Sequence, residues 1–297
     1  MFNKISFMFQ TITIYLFKKF RFFDGPFKRI VYRFFFKNKT INYTSEIKID
    51  ENKGFLFIDK DKFFKNEDDL RLCIDIAKDL YHKSNKKFET KNYLINLLEL
   101  KKTYEVKKFL NLFLDKKIIE IVRSYLKSEP LLVELKLLHS PVIKNINSKG
   151  SQLFHCDFDD DKIVKIFINI LNVNLNSGPL QAINKEKSNL LKNKFKYNFG
   201  RHSNDILREV DENEINTFVG SPGDILFIDT SSCFHRGSNK GTEDRLILYA
   251  NFNSRSSYRF PPVFKNSTFK DIIKSHSPLF ELSKLVDNEK KNYLLNL

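Results

Sequence analysis

The sequence is poor in cysteine, and its three cysteines, Cys73, Cys156 and Cys233, are scattered along 297 residues. An odd and scattered set predicts no disulfide framework, which excludes the small disulfide-stabilised secreted proteins. Free thiols are typical of a reducing compartment. We therefore expect a cytoplasmic protein, with association to a membrane left open.

Long apolar runs and repeats are also missing. The apolar run at residues 5–17 is thirteen residues long and contains four polar residues, whereas a membrane-spanning helix needs about 20 apolar residues. No small-residue cleavage site of a signal peptide is evident there. At 297 residues the chain can bury one full core. We predict a basic, aromatic amino-terminal segment at residues 1–50, a main domain at 51–265 and a helical tail at 266–297.

The basic residues are concentrated near the amino terminus. The formal net charge is +15, but Lys, Asn, Ile and Phe are abundant together, as an AT-rich coding sequence would produce, so we expect no specific nucleic-acid partner. Residues 1–40 carry nine basic residues and one acidic residue, Asp24. A helix starting near Phe27 would place an aromatic and aliphatic side opposite Arg29 and Arg33. Such a helix fits a peripheral contact with a membrane interface, or an element packed on the core or in a dimer contact.

The spacing of apolar residues predicts helices first and strands afterwards. Between residues 51 and 130 they recur at helical spacing, as at Leu70, Cys73 and Ala77. Strand candidates follow at residues 131–139, 152–157, 163–173, 180–183, 216–219, 224–229, 233–236 and 245–252. We predict a mainly β fold with flanking helices: a double-stranded β-helix (jelly roll, cupin-like) at residues 131–265, with the preceding helices packed on its major sheet. The polar residues 184–214 are predicted to form an active-site lid.

Two histidines and one carboxylate stand on these strand candidates. His155 and Asp157 are two residues apart, so on a strand their side chains point to the same side. His235 lies on a distant strand candidate. Two imidazoles and one carboxylate can occupy one face of a ferrous ion and leave the opposite positions open. We predict that His155, Asp157 and His235, hereafter the triad, are catalytic metal ligands.

The strand candidate at 163–173 has two different faces. Every second residue from Val164 to Ile170 is aliphatic, while Lys165, Phe167 and Asn169 alternate with them. This pattern predicts a sheet that packs on helices behind and lines a cavity in front. We place Phe167 and Asn169 in the cavity as cofactor-binding residues, with Lys165 nearer its rim.

Zinc is an alternative metal for this region, because Cys156 and Cys233 are adjacent in sequence to residues of the triad and zinc favours Cys and His as ligands. Strand alternation turns Cys156 away from the side shared by His155 and Asp157. Neither Cys and His pair has the spacing of a zinc knuckle. The pattern therefore favours iron over zinc.

These residues resemble the phytanoyl-CoA dioxygenase-like family of Fe(II)/2-oxoglutarate-dependent oxygenases. The resemblance covers residues 131 to about 260 and rests on the segments 152–158, 163–173, 176–180 and 222–237. It implies that His155, Asp157 and His235 hold the iron, and that Arg245 grips the far carboxylate of 2-oxoglutarate. Arginine suits that role because its planar fork pairs with a carboxylate through two hydrogen bonds.

The resemblance implies a 2-oxoglutarate-dependent dioxygenase that uses O2, releases succinate and CO2, and hydroxylates a small-molecule or lipid-like substrate. Because Asp157 fills the position that a halide would need, halogenation is not expected. Basic residues within 184–214 suggest an anionic substrate. The alternative is a non-enzymatic basic binding protein on a jelly-roll scaffold, anchored to a membrane or nucleic acid by its amino-terminal segment. Only the enzyme must bind ferrous iron and turn over 2-oxoglutarate.

Overall fold

The computed structural model describes residues 45–64, 67–84, 93–99, 103–142, 148, 150–157, 162–197, 200, 202–237, 241–254, 286–291 and 293–294. The described residues do not include the predicted amino-terminal helix or most of the predicted tail. The prediction that this helix contacts a membrane, and the alternative that it packs on the core or in a dimer contact, therefore lie outside the described residues. Within the described residues, no helix is long and apolar enough to cross a membrane.

The longer helices precede the main strands. The helices are α1 (Lys60–Phe63), α2 (Asp68–Ser84), α3 (Thr103–Phe113), α4 (Lys116–Leu126), α5 (Lys185–Lys194), α6 (Ser203–Leu207) and α7 (Asn288–Lys291). In α4 the bounds follow from the sequence. The Asp115 side chain accepts a hydrogen bond from the Lys117 amide at its start, which satisfies a free N–H group. Lys127 ends the helix in the left-handed conformation, with a φ of 53°.

Two antiparallel sheets form the centre of the molecule. The strands are β1 (Phe55–Ile58), β2 (Ile95–Asn96), β3 (Pro130–Ser140), β4 (Ile163–Asn169), β5 (Leu180–Ile183), β6 (Ile215–Phe218), β7 (Ile225–Asp229), β8 (His235–Gly237) and β9 (Arg245–Ser254). The major sheet has the order β1-β7-β4-β9-β3-β2, and the minor sheet has the order β6-β5-β8. The predicted mainly β, two-sheet architecture is confirmed.

The outer face of the major sheet packs on the helices and forms the main core. From β4 this face presents Val164, Ile166 and Ile168, which share one buried cluster with Phe109 of α3 and Ile121 of α4. Full burial of a side chain of this kind contributes roughly 1.5–3 kcal/mol. The predicted aliphatic face of β4 and the packing of helices on the major sheet are confirmed.

The inner face of the major sheet points toward the minor sheet. Phe167 of β4 packs there with Leu226 of β7 and near Phe218 of β6. Ala182, which belongs to the same inner cluster, is the partner of His235 across β5 and β8. Because paired residues on neighbouring strands share a face, His235 points into the space between the two sheets.

Two stretches differ from the predicted elements. Strands β1 and β2 lie within residues 51–130, which we predicted as helical, and β1 pairs with β7 at one edge of the major sheet. A run of four apolar residues is too short for periodicity to separate a strand from a helix. The strand predicted at 152–157 is instead a 3-10 turn, Gly150–Gln152, followed by a single bridge between His155 and His235.

The polar segment 184–214, predicted to be a lid, packs behind the triad in its described part. Leu191 of α5 and Ile206 of α6 lie in a buried cluster with Phe154 and Phe234. These two phenylalanines directly precede the triad histidines. Because neighbouring side chains of an extended segment point to opposite sides, this segment supports the ligand residues from the side away from the metal.

Candidate metal site

The structure brings the three residues of the triad together between the two sheets. The backbone N–H groups of His155 and His235 donate to each other's carbonyl oxygens at 3.1 and 3.0 Å. Oδ1 of Asp157 lies 3.8 Å from Nε2 of His155, and its Oδ2 lies 3.7 Å from Nε2 of His235. The possible ligand atoms all lie within 4.8 Å of one another. This spacing suits a single ion contacted by all three side chains.

Backbone carbonyls set the protonation of both histidine rings. Nδ1 of His155 lies 2.8 Å from the carbonyl oxygen of Leu153, and Nδ1 of His235 lies 3.1 Å from that of Cys233. A carbonyl oxygen can only accept, so each Nδ1 must carry the proton. Each Nε2 then offers a lone pair, which is the arrangement typical of metal-binding histidines.

Lys165 of β4 adds a cation beside the triad. Its Nζ lies 2.6 Å from Oδ2 of Asp157, and both side chains are largely buried. Burial raises the pKa of Asp157, but the charge of Lys165 is the largest of the effects that lower it, and this pKa lies well below its usual range. Asp157 is therefore an anion at neutral pH, as a metal ligand must be. We predicted Lys165 nearer the cavity rim, whereas its long side chain reaches the ligand carboxylate.

The segment that carries His155 is fixed along its other edge as well. The amide of Cys156 donates to the hydroxyl oxygen of Tyr197 at 2.9 Å. The amide of His202 donates to the carbonyl oxygen of Phe154 at 3.1 Å. The backbone around His155 is thus held on one side by β8 and on the other by Tyr197 and His202, which limits how far the imidazole can move.

Asp229 organises the turn that leads to His235. Its buried carboxylate accepts hydrogen bonds from the amides of Ser231 and Ser232 and from the hydroxyl group of Tyr125 on α4. In the same turn, the carbonyl oxygen of Thr230 accepts a hydrogen bond from the amide of Asp157 at 2.8 Å. Our sequence analysis missed Asp229. The available signal was a carboxylate followed directly by residues typical of turns, whose amides it can accept from.

Arg245 is a partly buried cation whose partners among the described residues are neutral. Its Nη1 donates to the carbonyl oxygen of Gly178, and its Nη2 donates to Oγ of Ser140 at 3.3 Å. Burial lowers its pKa to about 10, so it remains charged at neutral pH. A Cβ added at Gly237, two residues after His235, would lie 3.6 Å from Nη2. The guanidinium therefore reaches β8 close to the triad, and its charge favours a ligand that brings a carboxylate.

A pocket surrounds this guanidinium. Its lining is polar and apolar in equal parts and consists of Tyr93, Leu94, Ser140, Pro141, Ser151, Gln152, Ser177, Gly178, Gly237, Gly241, Glu243 and Arg245. The other two predicted cofactor-binding residues are not in this lining. Phe167 faces Tyr249 on the inner side of the major sheet, with ring centroids 5.3 Å apart. Asn169 is buried, and its Nδ2 has no hydrogen-bond partner among the described residues. Cofactor contacts by Phe167 and Asn169 stay predictions.

The cysteines do not join the triad. Among the described residues, His155, Asp157 and His235 are the group able to share an ion. Cys156 and Cys233 are buried in two different apolar clusters. Burial raises the pKa of Cys156 to about 12 and that of Cys233 well above its ordinary value. Zinc prefers thiolate ligands, but neither thiol belongs to the group of ligand atoms that the triad forms, so the geometry does not favour a cysteine-based zinc site.

Comparisons with known proteins support the fold. No family model matches the chain, and no curated protein matches it. The apoform of EctD from S. alaskensis is 13% identical, with 73% of this chain and 79% of that chain covered and a TM-score of 0.51. EctD with 2-oxoglutarate and 5-hydroxyectoine is 14% identical, with 69% and 74% covered and a TM-score of 0.47. The epimerase SnoN in complex with Fe3+, alpha ketoglutarate and nogalamycin RO is 14% identical, with 71% and 84% covered and a TM-score of 0.48. The chain therefore has the two-sheet fold of EctD.

Proposed function

We propose that this protein is an Fe(II)/2-oxoglutarate-dependent dioxygenase that hydroxylates a small-molecule or lipid-like substrate. One observation carries the proposal: a triad with three available ligand atoms lies near a partly buried arginine whose described partners are neutral. The two features together suit a metal ion and a short dicarboxylate. EctD, which shares the fold, has been crystallised with bound Fe and with 2-oxoglutarate, so such a fold can hold both.

The donor atoms of the triad fit ferrous iron. Nε2 of His155, Nε2 of His235 and one oxygen of Asp157 would hold the ion and leave its remaining positions open. Nδ1 of each histidine is fixed by a carbonyl, which keeps the ligand nitrogens unprotonated. When bound, the iron would activate dioxygen, with 2-oxoglutarate as the co-substrate that is converted to succinate and CO2.

The protein's own residues would bind and orient the co-substrate. Arg245 would bind the far carboxylate through its planar fork. Its guanidinium faces Gly237, and a two-residue step along an extended strand from His235 measures roughly 7 Å, which suits a short diacid between arginine and metal. Lys165 holds Asp157 in its charged form. Phe167 would supply an apolar wall that excludes water from the inner space.

We assign the chain more finely to the phytanoyl-CoA dioxygenase-like group. The turn Asn176-Ser177-Gly178-Pro179, which belongs to the sequence resemblance, lies against the predicted co-substrate residue. Gly178 adopts the left-handed conformation with a φ of 65°, and its carbonyl oxygen accepts a hydrogen bond from Arg245. This contact gives a physical reason for a glycine turn at that place, and so supports the finer assignment.

The prediction of an anionic substrate receives no support from Lys187 and Lys192 of segment 184–214. Lys187 pairs with Glu214 at 2.9 Å. Lys192 donates to the carbonyl oxygens of Ser231 and Ser232 at 2.9 and 2.7 Å. These lysines serve the structure of the segment, so the proposal names a small-molecule substrate without a charge preference.

The test compares the wild-type chain with Asp157→Ala and with Asp59→Ala. Asp59 is a matched control because it is an exposed aspartate paired with Lys62. We expect wild type and Asp59→Ala to bind one ferrous ion in anaerobic titration and to convert 2-oxoglutarate slowly to succinate without added substrate. Asp157→Ala should lose both properties while keeping its circular dichroism spectrum. Equal iron affinity in all three proteins would refute the triad, and a wild type without succinate formation would favour the non-enzymatic alternative.

A further inference from the structure

A cluster of hydrogen bonds beside Arg245 has no place in the proposed chemistry. Asp244, the residue before Arg245, accepts hydrogen bonds on Oδ2 from the Tyr81 hydroxyl at 2.6 Å and from Nε2 of His139 at 2.8 Å. Its Oδ1 accepts from the amide of Val142 at 2.9 Å. Three donors from α2, from β3 and from the chain after β3 thus converge on one carboxylate, which we call the Asp244 cluster.

The Asp244 cluster joins the two chain segments that form one wall of the arginine pocket. β3 and β9 pair in antiparallel register as far as Ser140 and Arg245. Beyond that pair the ladder ends, and strand ends fray unless other contacts hold them. Ser140 follows His139, and Arg245 follows Asp244. The cluster therefore continues the connection between the segments just past the last ladder pair.

The cluster also keeps the charge of Asp244 away from Arg245. Neighbouring side chains at the start of a strand point to opposite sides, and the Asp244 carboxylate is occupied by three donors. Burial raises the pKa of Asp244, but Tyr81, Val142 and His139 together lower it more. The carboxylate is therefore ionised at neutral pH and satisfied where it lies, so Arg245 keeps its charge for a ligand.

We propose that Asp244, held by Tyr81 and His139, is a positioning residue that sets the affinity of the Arg245 pocket for the far carboxylate of 2-oxoglutarate. The proposal rests on the proposed function. It does not place Asp244 in contact with the co-substrate. Its effect passes through the backbone to Arg245 and Ser140, whose Oγ accepts from Arg245 Nη2 at 3.3 Å.

The test measures the 2-oxoglutarate dependence of succinate formation by iron-loaded full-length protein. Tyr81→Phe removes one donor to a charged acceptor, and we expect the apparent KM for 2-oxoglutarate to rise about tenfold. Asp244→Ala should raise it further, and Asp244→Asn, which keeps the shape, should lie between wild type and Asp244→Ala. The rate at saturating 2-oxoglutarate and the iron affinity should change by less than about twofold.

Tyr293→Phe is the matched control. It removes a tyrosine hydroxyl group that also bonds to a charged side chain, Arg123, at 2.7 Å, in a different part of the molecule. A general loss of stability would affect both tyrosine variants, whereas the positioning role affects only Tyr81→Phe. Equal KM values in wild type, Tyr81→Phe and Asp244→Ala would overturn the inference.

Hydrogen exchange of the Val142 amide is a second, direct measurement of the Asp244 cluster. The amide of Val142 donates to Asp244, so its hydrogen exchange should accelerate in Asp244→Ala and not in Tyr293→Phe. Accelerated exchange with unchanged KM would leave a structural role only and would overturn the positioning role. A wild type that neither binds nor converts 2-oxoglutarate would remove the proposed function and this inference together, whereas normal conversion with unchanged variants removes the inference alone.

Discussion

At the scale of single residues, the neutral surroundings of the Arg245 guanidinium favour the binding of a carboxylate. A partly buried cation held by a carbonyl and a hydroxyl group gains most from a partner with negative charge. We predict that Arg245→Leu removes about 2–5 kcal/mol of binding free energy for 2-oxoglutarate. The 2-oxoglutarate concentration needed for half-maximal succinate formation should then rise at least about thirtyfold. Arg245→Lys keeps the charge but loses the planar fork, so its effect should be intermediate.

The measurement for Arg245 is succinate formation as a function of 2-oxoglutarate concentration, beside an anaerobic iron titration of the same proteins. Iron affinity should be nearly unchanged, because Arg245 contacts none of the predicted metal ligands through its described hydrogen bonds. If Arg245→Leu responds to 2-oxoglutarate as the wild type does, another residue holds the far carboxylate.

The residues that the sequence predicted are those whose role depends on short-range spacing. His155 and Asp157 share a side because extended chains alternate with a period of two. Lys165 was placed on the correct face of β4 by the same rule, but no rule of spacing gives the reach of a flexible side chain. The turn residues after Asp229 gave a local signal for its amide donors, but its contact with Tyr125 and the contact of Asp244 with Tyr81 join residues that are far apart in sequence, so spacing could not predict them.

At the scale of elements, most strands lie close to their predicted positions, including the short β5, β6 and β8, whereas β1 and β2 were not predicted. β3, β4, β7 and β9 lie close to their predicted positions, because each contains enough consecutive apolar or alternating residues for a pattern to show. β1 and β2 owe their conformation to partners, β7 and β3, that are far away in sequence. The 3-10 turn Gly150–Gln152 also has a distant partner, because the amide of Ser151 donates to the hydroxyl oxygen of Tyr93 at 3.2 Å.

The segment behind the triad gives a prediction at this scale. Tyr197→Phe removes the acceptor for the amide of Cys156 and leaves that amide unsatisfied, which costs about 1–3 kcal/mol. Because this amide lies between His155 and Asp157, we expect iron affinity to fall about tenfold, with the 2-oxoglutarate dependence at saturating iron unchanged. Anaerobic iron titration and calorimetric unfolding test this.

Tyr104→Phe serves as the control for Tyr197→Phe, since Tyr104 on α3 is 58% exposed. This variant should match the wild type in both iron affinity and melting temperature. A lower melting temperature with unchanged iron affinity in Tyr197→Phe would mean that the segment stabilises the fold without positioning the ligands.

At the scale of the whole molecule, one apolar cluster connects the helices to the major sheet. It includes Cys73 of α2, Phe109 of α3, Ile166 of β4 and, near the carboxy end, Leu294. The amide of Leu132 on β3 also donates to the carbonyl oxygen of Tyr293 at 2.7 Å. A continuous core of this kind favours cooperative unfolding of helices and sheets together. That residues 51–265 form one main domain stays a prediction.

The three cysteines make that cooperativity measurable. Cys73, Cys156 and Cys233 are all buried, and burial raises the pKa of Cys73 and of Cys156 to about 12. Thiol reagents attack the thiolate, so labelling at pH 8 should require opening of the structure. We predict that all three label at the same slow rate, and that ferrous iron with 2-oxoglutarate under anaerobic conditions slows all three equally by mass action.

Cys73 decides the outcome, because it lies among the helices on the outer side of the major sheet, away from the triad. Iron and 2-oxoglutarate can slow the labelling of Cys73 only if the opening that exposes Cys73 also disrupts the metal site. Mass spectrometry of labelled peptides, with urea-unfolded protein as the reference for full reactivity, gives the three rates separately. Fast labelling of Cys73 that iron and 2-oxoglutarate do not slow would show that the helices open independently of the sheets, and the single main domain would have to be divided.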